Sequence, residues 1–144
     1  MAASLRTLLD QLGNSRSTLF GVTSSAALAA LALVEPRGAS STRKLLYRGA
    51  IGAVAAWSAI AAARTESSRP MTGKTLASVA GAVGVASAAL SPVSERLDAK
   101  LVDALARGRV TRPRLVLAAA TAALSVAVWW FDRRSVSAEA TPER

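Results

Sequence analysis

Residues 45–63 read LLYRGAIGAVAAWSAIAAA, with Arg48 as the only charge. That is the length of a helix that crosses a bilayer, where about 20 mostly apolar residues are needed. Three further stretches resemble it: 18–34, 75–92 and 115–131. Charges are nearly absent from these four blocks and crowded between them. A water-soluble bundle would instead carry charge along the wet face of every helix. The patterning therefore predicts an all-α integral membrane bundle of four transmembrane helices within residues 18–134.

Composition points the same way. The chain has 144 residues, room for one domain, and 51% are apolar. Of these apolar residues 33 are alanine, and aromatics are scarce. Alanine buries little area, so this is a poor recipe for a water-soluble core. Cysteine and histidine are both absent, which excludes disulfides, Cys/His metal sites and imidazole acid–base chemistry. Nothing in the sequence calls for a cofactor. The net charge of +9 suits anionic lipid headgroups.

Around the deciding block, each segment has its own signals. Residues 1–17 hold Leu5, Leu8, Leu9 and Leu12 on one helical face, ending at Gly13-Asn14, and predict a short amphipathic helix on the membrane surface. The block 18–34 ends sharply at Glu35-Pro36. The block 75–92 is the weakest span, with sixteen residues before Ser91. At about 1.5 Å per residue these fall short of a ~30 Å hydrocarbon core. Ser91-Pro92 reads as a fresh helix start, a serine cap with proline in the first turn. Leu97, Leu101 and Leu105 then share a face, and Gly108 reads as a stop. Residues 92–107 are thus expected to form a separate surface helix between the third and fourth spans. The fourth span closes on Trp129-Trp130-Phe131-Asp132-Arg133-Arg134, the aromatic-then-basic pattern of a water–lipid boundary. The tail 135–144 is expected to be disordered.

Four spans put both chain ends on one side. The loops facing the other side, with Arg48, carry ten Lys/Arg against eight, too even a division to decide orientation by charge. The ending of the fourth span favours both termini in the cytoplasm.

Candidate functional positions are few. Arg107, Arg109, Arg112 and Arg114 form the densest basic cluster, suited to headgroups, a specific anionic lipid or an acidic partner. No aromatic is interleaved for base stacking, so nucleic acid is not expected. Arg48 lies about one turn inside the boundary. It either reaches back to the headgroups, in which case Arg48→Leu is tolerated, or faces the bundle as a functional charge. Gly49, Gly52, Gly81 and Gly84 are small-residue positions for close helix packing. The two glycines of the third span predict that it sits at the centre of the bundle. Ser24, Ser25, Ser58, Ser78, Ser87, Thr121 and Ser125 lie within spans, and bond locally, bond between helices, or line a polar path.

Two motif fragments lack their context. Gly73-Lys74-Thr75 has Ser68 where a phosphate-binding loop needs its first glycine, and Ser41-Thr42-Arg43-Lys44 lacks the companion motifs of an acyl-transfer site. An enzyme is therefore not expected. Small-residue faces without reactive groups favour a non-enzymatic interaction or accessory subunit in contact with lipid, other membrane proteins or its own copies. A small oligomeric carrier or pore is the alternative.

Overall fold

A computed structural model describes residues 2–35, 38–67 and 71–139. The described residues are all-α and form five helices: α1 (Ala2–Leu12), α2 (Thr18–Leu33), α3 (Ser41–Glu66), α4 (Gly73–Arg107) and α5 (Pro113–Glu139). Three starts are fixed by hydroxyl caps. Ser17 accepts from the Phe20 amide, Ser40 from the Arg43 amide, and Thr72 from the Thr75 amide. The fragments Ser41–Lys44 and Gly73–Thr75 are simply the first turns of α3 and α4.

The helix α4 overturns one expectation. Residues 92–107 do not form a separate helix; α4 runs unbroken through Pro92 for 35 residues. Proline removes the amide that would bond the carbonyl four residues back, which is Ala88. Ser91 Oγ donates to that carbonyl at 2.8 Å, and Ser94 Oγ donates to the Ser91 carbonyl at 2.8 Å. The serine expected to cap a new helix instead mends the old one, and it is 1% exposed. The far end stops as expected, at Arg107 with Gly108 after it, but the left-handed residue is one position later. Gly108 keeps a right-handed φ of −74°, and Arg109 takes the left-handed one, +60°. The closing bond runs from the Val110 amide to the Leu105 carbonyl.

Four helices form a ring of alternating direction. Ser25 meets Ser125, and Gly21, one turn earlier, meets Trp129, one turn later, so α2 and α5 are antiparallel. Gly52 meets Gly84 while Arg48 meets Glu95, so α3 and α4 are antiparallel. These two pairs are the close ones; α2 touches α3, and α4 touches α5, less extensively. The third apolar block does not sit at the centre. It packs chiefly on α3, because Gly52 and Gly84 bring those two backbones together: a Cβ on Gly52 would lie 2.9 Å from the Gly84 carbonyl oxygen.

The turn between α1 and α2 is tied down by two indoles. Trp57 Nε1 donates to the Leu12 carbonyl at 3.0 Å, and Trp129 Nε1 to the Ser15 carbonyl at 3.1 Å. The Ser15 amide donates to Thr65 Oγ1, and Phe20 packs on Trp57 at 4.9 Å between ring centroids. The leucine face of α1 is left outward, with Leu5 60% exposed.

Among the described residues only Phe20, Ala61 and Ala118 are buried apolar side chains, while Leu45, Val85, Leu124 and Phe131 are each about two-thirds exposed or more. Such a surface fits a solvent of lipid tails. Three helices are long and apolar enough to cross a membrane: Ser41–Glu66, Gly73–Arg107 and the Pro113–Arg134 part of α5. They suggest a multi-pass membrane protein. Thr18–Leu33 is apolar but shorter, at about 24 Å. The tail expected from Ser135 continues α5 as far as Glu139, and residues 140–144 lie outside the described residues.

Candidate functional site: an interior row of cavities

Every helix of the ring contributes hydroxyls to clefts that lie between the helices and open to the outside. An inner cavity of about 350 Å³ is walled by all four helices. Leu28 and Leu31 come from α2, Tyr47 and Ser58 from α3, Ser87, Ser94 and Asp98 from α4, and Thr121 from α5. A second cavity, about 510 Å³, continues it toward Ser15, Glu66 and Asp132, and the two share Leu28, Ser58 and Thr121 in their lining. A third, about 610 Å³, opens under the connection between α2 and α3 beside Glu35 and Arg43. It shares Leu31 and Tyr47 with the inner one. Together they make a row of three, from the Arg43 end of the bundle to the Trp129 end.

The row exists because alanine and serine leave gaps where leucine or phenylalanine would fill. Ala32, Ala55 and Ala62 line it, and none reaches across to the facing helix.

Two ion pairs flank the inner cavity at the Arg43 end. Arg48 Nε donates to Glu95 Oε1 at 2.9 Å, and its NH2 lies 3.4 Å from Glu95 Oε2. Arg114 NH1 donates to Asp98 Oδ2 at 2.6 Å. The Arg114 Nε atom is buried without a hydrogen-bond partner among the described residues. Each cation is matched by a carboxylate, which limits the cost of placing charge in an apolar bundle.

These placements sort the positions singled out from sequence. Arg48 pairs with Glu95 of α4. The basic cluster divides: Arg107, Arg109 and Arg112 are exposed, whereas Arg114 is drawn into the bundle by Asp98. Gly52 and Gly84 face one another. A Cβ on Gly49 or Gly81 would meet no described atom within 4 Å. Of the hydroxyls, Ser24 and Ser78 bond to carbonyls of their own helix, at Gly21 and Lys74. Ser25 bonds across to Ser125 at 3.1 Å. Ser58, Ser87 and Thr121 line the inner cavity.

Tyr47, Glu95 and Asp98 were not singled out from sequence. The unbroken α4 is what carries both carboxylates alongside α3 and α5. The available signal was Arg48 itself, a lone cation in an apolar block that needs a partner at its own depth. Among the described residues no group of three or more acidic side chains could hold a metal ion. No protein-family model, curated protein or solved structure matches the chain.

Proposed function

We propose that the chain is a four-span, non-enzymatic membrane protein that carries or passes a small solute along the row of interior cavities. The observation behind this reading is the shared lining: Leu28, Ser58 and Thr121 line two neighbouring clefts at once, which makes the clefts contiguous along the bundle. An accessory role led on sequence grounds because small-residue faces are present and reactive groups are not. Gly52, Gly84 and Gly21 pack against helices of the same bundle. In the proposal α2 is the fourth crossing, sheltered by α5 and by local thinning of the bilayer. Both chain ends lie in the cytoplasm, and Arg107, Arg109 and Arg112 meet anionic headgroups.

Retention in the pellet after alkaline carbonate washing tests insertion. Proteoliposomes test the path. Ser58→Leu adds bulk to the lining that the two clefts share and should slow solute entry at least tenfold, with an unchanged elution profile in detergent. Equal rates for the variant, the wild type and empty liposomes would refute the path.

Association remains a second reading on one observation: Gly49 and Gly81 are open on the outer surfaces of α3 and α4, where another helix could approach closely. Cysteine cross-linking at Gly49 in membranes would detect it.

A further inference from the structure

The ring is two antiparallel pairs laid against each other. Along the α2–α5 pair, Ser25 Oγ bonds Ser125 Oγ at 3.1 Å, the Trp129 ring lies on Gly21, and Arg133 NH1 donates to Thr18 Oγ1 at 3.4 Å. Along the α3–α4 pair, the Gly52 and Gly84 backbones touch and Arg48 bonds Glu95 at 2.9 Å. Each pair is held at more than one level, so each is a stiff unit.

The two units are held to each other differently. At the Trp129 end, α2 and its turn meet α3: Phe20 packs on Trp57 at 4.9 Å, Trp57 Nε1 donates to the Leu12 carbonyl, and the Ser15 amide donates to Thr65 Oγ1. At the Arg43 end, α4 meets α5, where Arg114 NH1 donates to Asp98 Oδ2 at 2.6 Å. These two joints sit at opposite ends of opposite seams, on a diagonal of the interface. The other two corners are open. The cavity beside Glu35 and Arg43 lies between the end of α2 and the first turns of α3, and among the described residues none from α4 or α5 lines it. The cavity beside Glu66 and Asp132 is lined by α2, α3, α5 and Ser15, and among the described residues by none from α4.

The chain connections follow the same diagonal. At the joints they are short or pinned. Residues 108–112 return α4 into α5 through the turn at Arg109, closed by the Val110 amide on the Leu105 carbonyl, and Trp129 Nε1 donates to the Ser15 carbonyl in the turn before α2. At the open corners there is slack. Seven residues, 34–40, join α2 to α3, and a stretch of that length reaches about 23 Å when extended. At the Trp129 end nothing joins α4 to α5, because α4 is entered from α3. A stiff unit resting on two joints can turn about the line through them. That turn closes one open corner as it opens the other, and the two corners face opposite ends of the bundle. The inner cavity, lined by all four helices, lies between them. Rigid-body rocking of one helix unit on another exposes a central site to each side in turn.

We infer that the α2–α5 pair rocks on the α3–α4 pair about the diagonal through Phe20–Trp57 and Asp98–Arg114, opening the Glu35 corner and the Asp132 corner in alternation. Its use for a solute rests on the path proposed above; the motion itself does not, and distances test it separately. The chain has no native cysteine, so spin labels go on introduced pairs in the full chain in liposomes. Glu35→Cys with Leu45→Cys reports the first corner, and Lys74→Cys with Arg134→Cys the second, both read by electron–electron double resonance. Ala50→Trp wedges the first cavity and should shorten the second-corner distance by several ångström. Ala62→Trp wedges the second and should shorten the first-corner distance likewise. Should either wedge disturb folding, Leu46→Trp and Val128→Trp line the same two cavities and serve instead. Asp98→Ala with Arg114→Ala removes one joint and should abolish the far-corner response while the elution profile in detergent stays unchanged. A far distance that ignores the wedge, or both distances lengthening together, would overturn the rocking. Solute entry without coupled distances would overturn the rocking and leave the path standing. Coupled distances without solute entry would support the rocking and overturn the path.

Discussion

Ser91 Oγ lies 2.8 Å from the Ala88 carbonyl oxygen, the one acceptor in α4 that Pro92 deprives of its amide. The serine and the proline act as a unit. Ser91→Ala leaves a buried carbonyl unsatisfied, at a cost of about 1–3 kcal/mol. Pro92→Ala restores the amide. The double variant should therefore be more stable than Ser91→Ala alone, as read by thermal unfolding in detergent. Equal stability of the two would mean that water already serves the carbonyl.

The glycines divide by what they touch. A Cβ at Gly84 would lie 3.1 Å from the Gly52 carbonyl oxygen and 3.3 Å from the Ala56 Cβ, so Gly84→Leu forces α3 and α4 apart. Overpacking of this kind costs about 1–3 kcal/mol or more. Gly81→Leu, on an open face, should leave detergent stability within about 0.5 kcal/mol of wild type. Similar melting temperatures for the two variants would contradict the packing described.

Arg48 and Glu95 can be exchanged. Arg48→Leu strands a Glu95 side chain that is 17% exposed, and should lower the melting temperature. The swap of Arg48→Glu with Glu95→Arg should recover part of the loss. A neutral effect of Arg48→Leu alone would return Arg48 to the headgroups.

Arg109 holds a left-handed φ of +60°, a conformation that costs a side-chain-bearing residue about 1 kcal/mol. Arg109→Gly should raise stability by roughly that amount. Arg109→Val, branched at Cβ, should lower it. Both are read from the same unfolding curves.

The apolar blocks, the start of α2 at Thr18 and the membrane-suited exterior are legible from charge placement alone, because lipid tolerates so little charge. The continuity of α4 is not. Ser-Pro opens a helix or sits inside one with the same two residues, and the outcome turns on whether Ser91 is wet or buried. Arg114 likewise reads as one more basic loop residue. Its partner Asp98 lies 16 positions earlier and meets it only after the turn at Arg109 reverses the chain. The cavities are further still from the sequence. A serine in an apolar run looks the same whether it bonds its own helix, as Ser78 does, or lines a cleft between helices, as Ser87 does.

The pairing of α2 with α5 has a consequence for biosynthesis. The hairpin of α3 and α4 is local, and its Gly52–Gly84 contact can form while the chain is still on the ribosome. The helix α2 leaves the ribosome first and is the shortest of the four, yet its main partner α5 leaves last. Ser25 meets Ser125 only after 100 further residues have been made. If α2 is the fourth crossing proposed above, it has until then few neighbours to hold a helix of that length across the bilayer. A chain arrested before Pro113 should thus keep α3 and α4 embedded while α2 slips to the surface. In this bundle the first apolar segment to be translated is the last to be locked in place.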